Sequence, residues 1–92
     1  MDVYEMLERV DGPDTFLEFA RALHADRTAE EGKRIDAWGP GANGWENHTI
    51  EDFLEAAITW GENTDMGASQ GLEGATSWQR CAAFLYCGKI YE

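Results

Sequence analysis

The side chains of this 92-residue chain best suited to hold a metal or act as nucleophiles are two cysteines and two histidines, and their spacing argues against both roles. Cys81 and Cys87 stand six residues apart, which on one helix turns them about 240° away from each other. Neither His24 nor His48 has a neighbour at the spacing of a ligand pair. The same six residues put the cysteines about 9 Å apart along a helix axis, beyond the ~7 Å between Cα atoms that a disulfide tolerates. Two free, buried thiols in a reducing cytoplasm are therefore expected. No G-x-S-x-G elbow occurs, and apolar surroundings would raise a thiol pKa and blunt it as a nucleophile. Asn63-Thr64-Asp65-Met66-Gly67 opens like a calcium loop but lacks the alternating acids and the closing glutamate. Residues 61–74 are rich in glycine, yet the G-K-[ST] ending that cradles phosphate is missing. Eighteen carboxylates offer many pairs for acid–base work, but nothing in the sequence brings two into one pocket. No catalytic residue, metal or cofactor is expected.

Charge is what remains. Eighteen acidic residues against seven basic ones give a formal charge of −11. Such a surface repels nucleic-acid phosphates and anionic membranes and attracts a basic protein. Glu51, Glu55 and Glu62 fall on one helical face. The helix dipole accounts for Glu51 and Asp52 in a first turn, but not for Glu55 and Glu62. Glu51 and Glu55 are like charges four residues apart, with no Lys or Arg on that face to relieve them. These three glutamates are the first candidates for binding a partner. Trp38, Trp45 and Asp65 join them, because they lie in glycine-punctuated loops where a tryptophan can serve as an interface anchor. The plainer alternatives are a solvated face that keeps the chain soluble and tryptophans that close over the core.

The elements that would position these residues read as helices. Val3, Met6, Leu7 and Val10 have helical spacing over residues 2–10. Pro13 suits the first turn of a second helix running to about Thr28, with Phe16, Phe19, Ala20 and Leu23 as its apolar stripe. Residues 29–48 lose periodicity, leaving a functional loop or one short extended segment near 33–38. Thr49 caps a third helix, with Ile50, Phe53, Leu54, Ala57 and Trp60 on its core face and Gly61 as its stop. A loop follows over 63–75. Thr76 and Gln79 form a capping box for the last helix, and Gly88 ends it. Trp78, Cys81, Ala82, Phe84, Leu85 and Tyr86 surround that helix, marking it as the central one, with Trp60 and Trp78 in the core. The expected fold is all-α: a compact single domain, 1–92, of four to five helices. The N-terminus has no basic segment leading into an apolar run, and no stretch approaches 18 apolar residues, so a cytoplasmic protein is expected.

Gly44-Trp45-Glu46-Asn47, Thr49-Ile50, Phe53-Leu54-Glu55-Ala56-Ala57, Trp60, Gly67-Ala68-Ser69-Gln70-Gly71-Leu72, Trp78 and Gly88-Lys89-Ile90-Tyr91-Glu92 together give the chain its likeness. In these residues it resembles a family of short bacterial proteins of unknown function. The resemblance implies a stand-alone bacterial cytoplasmic domain and brings no activity, cofactor or site residue with it. The expected function is that of a non-catalytic acidic interaction protein, an inhibitor or immunity-type partner that masks a basic protein. A small-molecule binder or minor enzyme using the tryptophan loops is the second expectation. It requires a pocket bordered by Trp38, Trp45 and carboxylates such as Asp65. A self-associating structural domain is the third.

Overall fold

The computed structural model describes residues 2–31 and 44–91, and among these the regular structure is helical throughout. Four α-helices follow one another: α1 (Val3–Glu8), α2 (Pro13–Glu31), α3 (Ile50–Thr64) and α4 (Ser77–Ile90), with a 3₁₀ turn at Ala68–Gln70. The segment near 33–38 and Trp38 lie outside the described residues.

Local chemistry sets the helix starts. Asp2 accepts the Glu5 N–H, Thr49 accepts the Asp52 N–H and Thr76 accepts the Gln79 N–H, each satisfying a donor that the first turn leaves open. The Gln79 side chain, expected to complete a capping box, donates instead to the Glu8 carbonyl at 3.4 Å and ties α4 to α1. Pro13 stands at the first position of α2, where its missing N–H costs nothing.

The helix ends depart from expectation for a steric reason. Gly61 and Gly88 look like stops, yet both lie inside helices. Each marks a close approach. A methyl added at Gly88 would meet the Phe53 ring at 2.6 Å, and one at Gly61 would meet Met66 Sδ at 3.1 Å. α3 actually ends at Asp65, which adopts the left-handed conformation with φ 51°, followed by Met66 at 53° and Gly67 at 88°. Arg80 fastens this turn by donating to the Met66 and Asp65 carbonyls at 2.9 and 2.7 Å. The Thr64 hydroxyl donates to the Trp60 carbonyl and accepts the Gly67 N–H.

α4 packs against α1, α2 and α3, whereas the backbones of α2 and α3 stay apart, so α4 is central. The core joins Val3 and Val10 to Phe19 and Leu23 of α2, Ala82 of α4 and Trp45, with Phe16, Phe53, Leu85 and Tyr86 packed against it. Ala57 and Trp60 are buried too. Two stripe assignments need correction. On α3 the buried face is Ala56, Ala57, Trp60, Gly61 and Thr64, while Ile50 and Leu54 are 77 % and 44 % exposed. Trp78, assigned to the core, is 42 % exposed in the first turn of α4, its ring packed on Phe16 alone among the aromatic rings described. Both cysteines are free, but neither is fully buried as expected: Cys81 is exposed and Cys87 half-buried.

Candidate functional site

Along α2 the inward spacing Phe16, Phe19, Leu23 continues at the same three- and four-residue steps to Asp26 and Glu30. Two carboxylates thus take core positions, and Glu30 is completely buried. Buried charge is tolerated when it is paired and hydrogen-bonded, and both acids are. Asp26 Oδ2 accepts from Lys89 Nζ at 2.7 Å and from the Trp45 indole N–H at 2.8 Å. Glu30 Oε1 accepts the Trp45 backbone N–H at 3.1 Å. Its Oε2 lies 3.3 Å from His48 Nε2 and 3.9 Å from an Arg27 guanidinium nitrogen.

These bonds seat the segment 44–48 on the end of α4. The Glu46 N–H donates to the Lys89 carbonyl at 2.9 Å. The Asn47 amide donates to the Gly88 and Tyr91 carbonyls, 2.9 Å each, closing orphan acceptors at the helix terminus. Trp45 is 4 % exposed, its ring stacked on Phe53 and within 6 Å of the Arg27 and Lys89 cations. Trp45 is therefore a core residue whose indole is not presented outward as an anchor. Burial pushes the Cys87 thiol up to about 11. The Tyr86 hydroxyl is raised as well, first by burial and then by the nearby Asp2 charge.

Glu51, Glu55 and Glu62 do share one solvent-facing side of α3, and all three are exposed. Beside them runs a row the sequence did not suggest: Ile50, Leu54 and Ile58, four residues apart and 77 %, 44 % and 47 % exposed. Asp52 and Glu55 also border a shallow concavity of about 330 Å³ with Thr59 and Tyr91. Asp65 is exposed at the far end of α3, away from these residues in sequence and engaged only through its backbone in the turn held by Arg80.

Because α2 and α3 flank α4 with their backbones apart, a cleft opens between them. Its volume is about 420 Å³, walled by Ala20, Leu23, Ile50, Phe53, Leu85 and Trp45 and rimmed by His24, Arg27, Asn47, His48 and Thr49. Trp45 borders this pocket as anticipated, but Asp65 and the 63–75 turn do not line it. Sequence reasoning missed Asp26, Glu30, Lys89 and the approach of the two histidines. The continued stripe on α2 was the available signal for the first two. Among the described residues, no three His, Cys, Asp or Glu side chains gather as a metal-binding group, and no helix is long and apolar enough to cross a membrane.

Comparison with curated proteins and with solved structures finds no match to the chain. Over residues 13–92, however, it matches the Family of unknown function (DUF7660), and it belongs to that family.

Proposed function

We propose that the chain is a non-catalytic acidic protein of the bacterial cytoplasm that binds a basic protein, as an inhibitor or immunity-type partner does, through the outer face of α3. The observation that carries this reading is the pairing of two rows on that face, Ile50–Leu54–Ile58 and Glu51–Glu55–Glu62, all exposed. Exposed aliphatic residues at one-turn intervals supply contact area, and the carboxylates beside them select positive charge. No Lys or Arg occurs in α3 to neutralise the row. The concavity beside Asp52 and Glu55 is suited to a lysine or arginine of the partner.

Charge also argues for a different protein rather than a second copy as the partner. Two α3 faces brought together would oppose their glutamate rows, and each chain carries −11. The same charge disfavours nucleic acid and anionic membranes. Free thiols fit a reducing compartment.

A pulldown from native lysate at low salt, eluted by raising the salt, tests this reading in wild type and in a Glu55→Lys/Glu62→Lys variant. The expected result is one basic protein, released by salt and lost on charge reversal while the fold is unchanged. Recovery that ignores both salt and charge reversal would refute it, as would the absence of any specific basic protein.

A further inference from the structure

The cleft between α2 and α3 differs from the rest of the surface in its charge. Acidic residues make up 18 of the 92, yet among the described residues none lines this cleft. Two smaller concavities each carry carboxylates, Asp2 and Asp26 in one, Asp52 and Glu55 in the other. Both histidines of the chain border the cleft, together with Arg27. An acidic protein has thus gathered three nitrogen bases around one apolar hollow.

That polar rim is held from beneath. Glu30, wholly buried, takes the Trp45 N–H and stands 3.3 Å from His48 Nε2 and 3.9 Å from Arg27. Arg27 donates to the His48 carbonyl at 3.4 Å, which links α2 to the segment leading into α3. His24 lies one turn before Arg27 on the same side of α2. Donors fixed in this way lose little freedom when they meet a ligand. The apolar walls, Leu23, Phe53, Leu85 and Trp45, belong to the core or pack on it and are equally fixed. A volume of about 420 Å³ falls within the ~300–1,000 Å³ of small-molecule sites.

We propose that this cleft binds a small carboxylic acid with an aliphatic or aryl body. The body lies against Leu23, Phe53 and Leu85, and the carboxylate faces Arg27, His24 and His48. The rim selects the anion, since those side chains are donors and, among the described residues, no carboxylate lines the cleft to repel it. A cation of the same shape would find no counter-charge among the lining residues. The glutamate row on α3 lies outside the site, which shares Ile50 with the face proposed for the partner, so Glu55→Lys/Glu62→Lys is the change that separates the two bindings.

Calorimetric titration of the full chain with octanoate, octanol and octylamine tests the proposal. Octanoate is expected to saturate one site, with octanol at least tenfold weaker and octylamine not binding. Hexanoate, two methylenes shorter, should bind about tenfold more weakly than octanoate. Ala20→Phe fills the cleft and should abolish binding. Ile50→Glu, at the exposed part of the wall, should weaken octanoate at least tenfold without changing Tm, which keeps the test decisive if Ala20→Phe folds poorly. Arg27→Gln should erase the preference for octanoate over octanol. Glu55→Lys/Glu62→Lys should leave octanoate binding undiminished. Octanol or octylamine binding as tightly as octanoate would overturn the proposal. So would octanoate affinity unchanged in Ile50→Glu, or the absence of saturable octanoate binding to the wild type.

Discussion

Lys89→Met is the sharpest probe of how this fold is held, because Lys89 is a cation in the core. Its ammonium lies 2.7 Å from Asp26 Oδ2, and its side chain is 9 % exposed against 20 % for Asp26. Methionine preserves the length of the stem, so little cavity forms and the change isolates the charge. Removing one partner of a buried ion pair costs about 3–5 kcal/mol, because the other charge is stranded. Asp26 would still accept the Trp45 indole N–H and keeps some contact with water. The expected loss is therefore lower, about 2–3 kcal/mol, set against the ~5–14 kcal/mol of stability ordinary for a domain of this size. In a chain of this length that corresponds to a fall in Tm of roughly 10–20 °C. Urea and thermal unfolding followed by far-ultraviolet circular dichroism measure it, with the urea m-value as a check on the denatured state. Combining Lys89→Met with Asp26→Asn removes both charges while an amide oxygen remains for the indole. The double variant should recover at least about 1 kcal/mol relative to the sum of the singles. A Lys89→Met protein within ~0.5 kcal/mol of wild type, or a double variant whose cost is simply additive, would refute the claim that this pair holds residues 44–48 on α4.

Gly88→Ala should destabilise by about 1–3 kcal/mol, since the new methyl would stand 2.6 Å from the Phe53 ring, and Phe53→Leu in the same chain should relieve much of the cost. Urea unfolding settles the sign: an ordinary mid-helix Gly→Ala gains roughly 0.5–1 kcal/mol, and such a gain would mean that α3 does not close on Gly88. The two thiols should separate under maleimide, with exposed Cys81 labelled quickly and half-buried Cys87 only as the fold opens. Cys87 also predicts an alkaline limb to stability. Its thiol titrates at about 11 in the folded chain against an ordinary 9.0, so the unfolded chain loses the proton first. Its contribution is complete below pH 9 and is lost as pH rises toward 11. Cys87→Ser should flatten that part of the decline, measured as urea midpoints from pH 8 to 11, and an unchanged slope would rule the assignment out.

The sequence displayed the helices plainly because each carries its own signal. Asp2, Thr49 and Thr76 are capping side chains followed by periodic apolar residues, and all three cap as their types imply. Glycine misled because it serves two purposes. Gly61 and Gly88 look like helix stops, but each is small so that a neighbouring helix or turn can approach, and that need is visible only in three dimensions. Polarity misled in the same way. The apolar stripe of α2 ends at Leu23, and the charged Asp26 and Glu30 continue its spacing without its polarity. Their partners, Lys89 and Trp45, lie 63 and 19 residues from Asp26, too far for a local pattern to show. Glu51, Glu55 and Glu62 were legible as one exposed row because helix geometry fixes it. The aliphatic row beside it was not, because alternation within α3 cannot say which apolar side α4 will cover.

The tryptophan segment, the central glycine-containing stretch and the C-terminal segment are mostly committed to architecture, and this bears on where function can lie. Trp45, Glu46 and Asn47 bond to Asp26, Glu30, Lys89, Gly88 and Tyr91, so the tryptophan segment and the C-terminal segment are two halves of one joint. Trp60 donates to Gln70, and Gly67 takes a positive φ with Leu72 2.5 Å from where a Cβ would stand, so the central glycine-containing stretch is the turn that closes α3. These residues therefore hold the fold. Substituting these residues would cost stability before it cost any binding, and lost binding in such variants would carry no information about a site. Phe53, Ala56 and Ala57 belong to the same architecture. Leu54 and Glu55, between them, do not: both face solvent, and one is a leucine 44 % exposed. Solubility accounts for an exposed glutamate but not for an exposed leucine one turn from Ile50 and from Ile58. A surface for another molecule accounts for all of them, which makes Leu54 and Glu55 the positions where loss of binding without loss of stability can be read directly.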